Sequence, residues 1–167
     1  MPELRDKEKQ VLFELLKDGR KPDKHIAQLL KLTQPTVTRI RQRLERDKVI
    51  RGYRAVVDEA AAGFSISVIT FFDWRDYSDK GHVEEASNYI TKIPEVVYFA
   101  RGEGLRGKTY VMVSFHKTFA DYESFTRKLR ERYGKQMAYV EEFISSMDSI
   151  HKKDSTQAVI QAMSDVN

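Results

Sequence analysis

The segment "TQPTVTRIRQRLE", residues 33 to 45, is rich in side chains that form paired hydrogen bonds. At 100° per residue Thr38, Arg39, Gln42 and Arg46 lie with Pro35 on one side, flanked by Thr36 and Arg43, while Val37, Ile40 and Leu44 lie opposite. A guanidinium bonds both acceptors on the edge of a guanine, a carboxamide serves an adenine in the same way, and a threonine meets a thymine methyl or a phosphate. Gln34, Thr38, Arg39 and Gln42 are therefore candidates for contact with base edges. Thr33 and Thr36 at the start of the segment are further candidates for contact with DNA, and Lys31, Arg41, Arg43, Arg46, Lys48, Arg51 and Arg54 suit the neutralisation of phosphates. A solvated helix would mix its charges, but only Glu45 and Asp47 offset the positive side chains between Thr33 and Arg54.

Other arrangements fail on spacing or context. "GEGLRGKT", residues 102 to 109, satisfies a phosphate-loop pattern letter for letter. Such a loop needs a following helix whose N-terminus holds the anion, and "TYVMVSF" reads as a strand, so the glycines join a hairpin. A weak anion contact at Lys108 is what that reading leaves. His25, His82, His116 and His151 show no ligand spacing, so no metal site is expected. The neighbouring carboxylates Glu84–Glu85 and Glu141–Glu142 point different ways on a helix or strand and form no catalytic pair. No activated nucleophile is visible, and neither catalysis nor a cofactor is expected.

These side chains need elements to position them. The 167 residues are enough for one domain or two small ones, and 41% hydrophobic content supports a core. Cysteine is absent, which excludes disulfides and thiolate metal sites. The charged start "MPELRDKEKQ" lacks the apolar run of a signal peptide, and no apolar stretch reaches the roughly 20 residues that span a bilayer. A soluble cytoplasmic protein with no membrane partner is expected. Residues 1–57 hold 15 Lys and Arg against 8 Asp and Glu, a balance of +7, whereas residues 58–167 hold 14 against 17, a balance of −3. Two parts with different partners follow.

The front third predicts three helices. Val11, Leu12, Leu15 and Leu16 recur at helical spacing until Gly19 and Pro22 stop them. Asp23 is placed to cap a second helix carrying Ile26, Ala27, Leu29 and Leu30. After a short break Thr33 caps a third, with Pro35 in its first turn, which runs to about Asp47. This is the helix-turn-helix arrangement, over residues 1–50. Residues 51–63 predict a hinge strand through Tyr53, Ala55 and Val57, then a linker ending at Gly63. Residues 64–150 change period: strands at 64–72, 96–101, 109–115 and 137–147, and helices at 79–92 and from a Thr118 cap to a stop at Gly134. The order β-α-β-β-α-β is the ferredoxin-like split unit, so the fold class is α+β. Its helices cover one sheet face. The other keeps apolar side chains, for which a second copy of the chain is the simplest cover. Residues 151–167 are a tail with helical potential around Val159, Ile160 and Met163.

"TQPTVTRIRQRLERDKVIRGYRA" resembles the helix-turn-helix and hinge of the Lrp/AsnC family of transcription regulators, also called feast/famine regulatory proteins. The matching pieces are Thr36 and Val37, "RLE" at 43–45, and "VIRGYRA" at 49–55. A lysine, Lys48, stands where that family often has glycine, in a position where left-handed backbone disfavours it. The resemblance implies a DNA-binding head, a hinge strand and a βαββαβ effector domain. It also implies homodimers that assemble into tetramers or octamers. In the family the loop after the second effector-domain strand helps form a small-molecule site between subunits. Gly102 is kept here, the loop is longer, and Lys108 and Thr109 stand where an aspartate would meet an amino group. Arg101, Gly102, Glu103, Gly104, Arg106 and Lys108 are the corresponding candidates, with Glu103 as carboxylate and Arg101 or Arg106 for an α-carboxylate.

The expectation is thus a sequence-specific regulator that binds double-stranded DNA at operator half-sites as a dimer or larger oligomer and responds to a small molecule. The rival reading is a small-molecule-sensing ferredoxin-like module whose basic head contacts a protein. An RNA-binding role ranks lower, because the back sheet lacks a basic, exposed aromatic pattern.

Overall fold

The computed structural model describes residues 4–78, 80–104, 107–150, 158, 159 and 161. The chain forms two compact units, the first containing residues 4–56 and the second residues 57–150. In the first, helices α1 (Asp6–Lys17), α2 (Asp23–Leu29) and α3 (Gln34–Arg46) enclose a core of Val11, Leu15, Ile26, Ala27 and Val37, with Leu30, Leu32, Ile40 and Ile50 packed at its border. Each helix contributes only two or three buried apolar side chains, so the unit is held by one small cluster rather than by long helices.

Two details differ from the sequence reading. Asp23 does not cap α2; Pro22 occupies the N-cap position with extended backbone, and no side-chain cap bond is made. Asp23 is the first helical residue, and its carboxylate is drawn across to α3 instead. Residues 51–58, expected to form a hinge strand, are exposed and unpaired. A strand exists only where its N–H and C=O groups meet a partner backbone, and among the described residues none is paired with these. Tyr53 from this stretch lies beside α3, its hydroxyl donating to Glu45 Oε1 at 2.8 Å, and the Arg41 guanidinium stands 5.8 Å from its ring centre.

The second unit begins with a turn that closes at Gly63, where φ of +95° suits only glycine. It continues as β1 (Ile66–Trp74), α4 (Lys80–Ile90), β2 (Val96–Arg101), β3 (Tyr110–His116), α5 (Phe119–Tyr133) and β4 (Met137–Ser146), followed by a single 3-10 turn at Met147–Ser149. The strands form one antiparallel sheet in the order β2-β3-β1-β4, the ferredoxin-like arrangement that the β-α-β-β-α-β pattern predicts. Phe72, Trp74, Tyr110 and Met112 on the sheet pack with Ala86 and Ile90 of α4 and with Phe125, Leu129 and Tyr133 of α5. Thr118 caps α5 as expected, through a reciprocal box with Asp121. Gly134 ends α5 for a different reason from the one expected. Its backbone is right-handed, and a Cβ there would stand 2.4 Å from the Arg130 carbonyl oxygen.

Cross-strand partners share a face, so the register traces what the helices leave open. Tyr98 pairs Val113, Val113 pairs Ile69, and Ile69 pairs Phe143, one apolar row across all four strands. Phe71 and Val111 form a second pair on that face. Tyr98 is 56% exposed and Phe143 61% exposed. Of the expected tail helix, only Ala158, Val159 and Gln161 lie within the described residues, and they are helical.

Candidate nucleic-acid interface

Helix α3 is positioned from three directions. Its apolar stripe, Val37 and Leu44 with Ile40 at the border, is anchored in the core. Thr33 caps the N-terminus, its Oγ1 accepting from the Thr36 N–H at 3.4 Å, and Pro35 sits in the first turn, where a missing N–H is harmless. Asp23 ties the helix to α2. Its Oδ2 accepts from Thr38 Oγ1 at 2.7 Å, and its Oδ1 lies 2.6 Å from Arg41 Nη2, an ionic contact without good hydrogen-bond alignment. The same Nη2 donates to the Lys21 carbonyl at 2.8 Å. From the far side, Arg43 Nη1 stands 2.8 Å from buried Glu8 on α1.

These ties sort the side chains that the sequence put forward together. Gln34, Arg39 and Gln42 are exposed and have no hydrogen-bond or ionic partner among the described residues. With Pro35 and Thr38 they line one shallow, open groove along the N-terminal half of α3. Thr38 is half-buried and donates to Asp23, which leaves its methyl as the group free for outside contact. Arg41 and Arg43 are half-buried and hold ion pairs inside the unit, so they brace the helix. Arg46 points outward with 74% of its side chain exposed and pairs at 3.0 Å only with its neighbour Asp47. The Asp47 carboxyl is held below its ordinary range by the hydrogen bond from Arg46 and, less strongly, by that from Arg43. Thr33, Lys48, Arg51 and Arg54 are exposed and Thr36 half-buried, its hydroxyl 2.8 Å from that of Thr33. Lys48 has φ of +55°, the left-handed conformation that the glycine position of the resembled family implies, and Lys31 in the turn before α3 has φ of +54°.

Charge alone could not separate the bracing arginines from the free ones. Asp23 and Arg41 lie 18 residues apart, and only helix packing joins them.

In the second unit the glycine loop joins β2 and β3 antiparallel, closed by the Gly102 N–H donating to the Thr109 carbonyl at 2.8 Å. Gly104 and Gly107 take φ of +128° and +87°. A strand follows, as expected. Arg101, Gly102, Glu103 and Gly104 are exposed; Arg106 lies outside the described residues. Lys108 is buried, and its Nζ sits 2.6 Å from Glu141 Oε1. One cluster was not anticipated. Asp73, at the end of β1 and beside Thr109 across the sheet, accepts from Thr109 Oγ1 at 2.6 Å, from the Trp74 N–H at 2.9 Å and from the Tyr77 hydroxyl. Burial and the Asp73 bond raise the Tyr77 pKa, and the Arg101 guanidinium lies 5.7 Å from the Tyr77 ring centre. A carboxylate thus stands next to the position where the resembled family places its aspartate, supplied by the adjacent strand. Among the described residues no group of three His, Asp or Glu side chains could hold a metal ion, and no helix is long and apolar enough to cross a membrane.

Residues 4–51 match the family model for winged helix-turn-helix DNA-binding domains. An uncharacterized HTH-type transcriptional regulator of Pyrococcus furiosus is 26% identical over 143 residues, covering 83% of this chain and 87% of its own. The fold is that of the crystal structure of an AsnC family transcriptional regulator from Agrobacterium tumefaciens, with a TM-score of 0.81, 20% identity, and coverage of 91% of this chain and 95% of the other. The transcriptional regulator NMB0573 of Neisseria meningitidis, solved as its L-Met complex, superposes with a TM-score of 0.75 at 16% identity, covering 90% and 95%.

Proposed function

We propose that this chain, a transcription regulator of the Lrp/AsnC type with an N-terminal helix-turn-helix DNA-binding domain, reads operator half-sites by laying α3 in the major groove. Gln34, Arg39, Gln42 and the Thr38 methyl meet base edges. Thr33, Thr36, Arg46, Lys48, Arg51 and Arg54 meet phosphates, and Arg41 and Arg43 hold the helix at its angle. The observation that carries this reading is the division within α3: its apolar stripe is buried, its bracing arginines are paired, and Arg39 and Gln42 are left exposed side by side with unused donors.

One small head holds too few contacts for a specific site, so the active form is a homodimer that reads two half-sites about one helical turn, or a multiple, apart. The apolar row Tyr98, Val113, Ile69 and Phe143 supports the second unit as the dimerising part, and tetramers or octamers extend the same plan. The loop from Arg101 to Lys108 is the effector site, with Arg101 for a carboxylate and Glu103 or Asp73 for an ammonium. The L-Met complex of the Neisseria regulator supports an amino acid as the class. The protein works in the cytoplasm, where its DNA is.

Selection of bound duplexes from a random pool tests the DNA reading. Enrichment of a repeated half-site is expected; recovery of unenriched pool would remove it. A melting-temperature screen over amino acids tests the effector.

A further inference from the structure

The helical side of the second unit contains a cleft that the regulator reading does not use. It has a volume of about 640 Å³ and lies between the C-terminal end of α4, the end of β3 and the first half of α5. That is within the roughly 300–1,000 Å³ of ordinary small-molecule sites. Its walls are apolar, built from Tyr89, Ile93, Phe115 and Leu129.

Its floor includes His116, a side chain only 1% exposed. The ring is fixed between Tyr122, 5.5 Å away, and Phe125, 4.9 Å away, and its Nε2 lies 2.9 Å from Ser114 Oγ. Nδ1 is shut off from solvent and has no hydrogen-bond partner among the described residues. A buried ring nitrogen left unpaired is destabilising. Burial keeps the imidazole in its neutral form, lowering its pKa against the opposing pull of Glu95, Asp121 and Glu142.

The rim is positive. Lys92, Lys117 and Lys128 all border the cleft, are exposed, and make no ion pair among the described residues. Of the two acids that border it, Asp121 is occupied by the α5 cap, accepting from the Thr118 N–H and hydroxyl at 3.1 and 2.9 Å. Three ammonium groups thus face the two carboxylates of Glu95 and Asp121.

We infer that this cleft binds a small organic acid with an aromatic or branched apolar body, its carboxylate held by the rim lysines and its body against the Tyr89, Ile93 and Phe115 walls above the buried His116 ring. The site is separate from the glycine loop in residues and in chemistry, because it offers an excess of cations and an apolar wall.

The test uses the full chain and a set of probes: isovalerate, phenylacetate, 3-phenylpropionate and the alcohols corresponding to each. Binding is followed by calorimetry, and the His116 ring nitrogens by NMR. At least one acid is expected to bind more tightly than its alcohol and to shift the His116 ring resonances. Ser124→Trp, which fills the half-buried rim, is expected to weaken binding by about tenfold or more, and the Lys92→Ala/Lys128→Ala pair by about threefold or more, as exposed charge pairs allow. Arg101→Ala, in the glycine loop, leaves the affinity unchanged. Failure of every acid to bind overturns the inference. So does binding that Ser124→Trp does not weaken in a variant whose melting temperature matches the parent, or binding that Arg101→Ala abolishes.

Discussion

Arg39 and Arg41 sit two residues apart on α3 and look interchangeable as sequence, yet they should fail in opposite ways when truncated. Arg39 is exposed and unpartnered, so Arg39→Ala leaves stability within about 0.5 kcal/mol of the parent. Its cost falls on DNA. Loss of a bidentate base contact is worth about 1–3 kcal/mol, or about 5- to 150-fold in Kd, confined to one base position of the site. Arg41→Ala strips the Asp23 carboxylate of its 2.6 Å counter-ion and the Lys21 carbonyl of its donor. Both side chains of the pair are 18% exposed, and Asp23 keeps its bond from Thr38, so the cost is below that of a fully buried pair. About 1–2 kcal/mol is the expected loss. In a unit of this size that lowers the melting temperature by about 4–8 °C per kcal/mol. Fluorescence anisotropy on the selected operator, on single-base variants and on scrambled duplex reads the first effect; calorimetric melting reads the second. Equal weakening by Arg39→Ala on every duplex would move Arg39 to the phosphates. Unchanged melting of Arg41→Ala, with DNA binding lost, would refute the bracing role drawn from the Asp23 contact.

Lys48→Gly and Lys31→Gly each remove a left-handed strain of about 1–2 kcal/mol against the entropy glycine loses on folding. A net gain of about 0.5–1 kcal/mol in urea unfolding is expected, and a loss at both sites would contradict it. Phe143→Glu places a charge at the β4 end of the open apolar row and should reduce the mass seen by light scattering; an unchanged mass would exclude that face as the subunit contact. Glu14 has a carboxyl held below its ordinary 4.5 by hydrogen bonds from Lys17 first and Lys21 second. Its contribution to stability is present above pH 4.5 and is lost as the pH falls through the lower folded value, so Glu14→Gln should flatten the acid limb of the stability profile. Binding to operator should fall linearly in log Kd against log salt, and Arg51→Ala should reduce the slope by about one; a slope insensitive to every exposed cation would remove the phosphate contacts.

The amino-acid sequence by itself determined the elements and their order. Apolar spacing at 3.6 residues marked α1 and α3, alternation marked the strands, and the antiparallel return at Gly102 excluded a phosphate loop, because these signals are local and repeat along the chain. The apolar face opposite the helices was legible for the same reason. Residues 51–58 read as a strand because alternation reports what a segment could pair with, whereas pairing itself requires a second backbone. Which arginines of α3 are free was decided only by tertiary structure. Asp23 and Glu8 come from other helices and Lys21 from the loop between them, and no periodicity in α3 records their approach. Asp73 beside Thr109 and the unpaired Nδ1 of His116 arise in the same way. Hydrogen bonds and charges act over a few ångströms in space, and distance along the chain does not encode them.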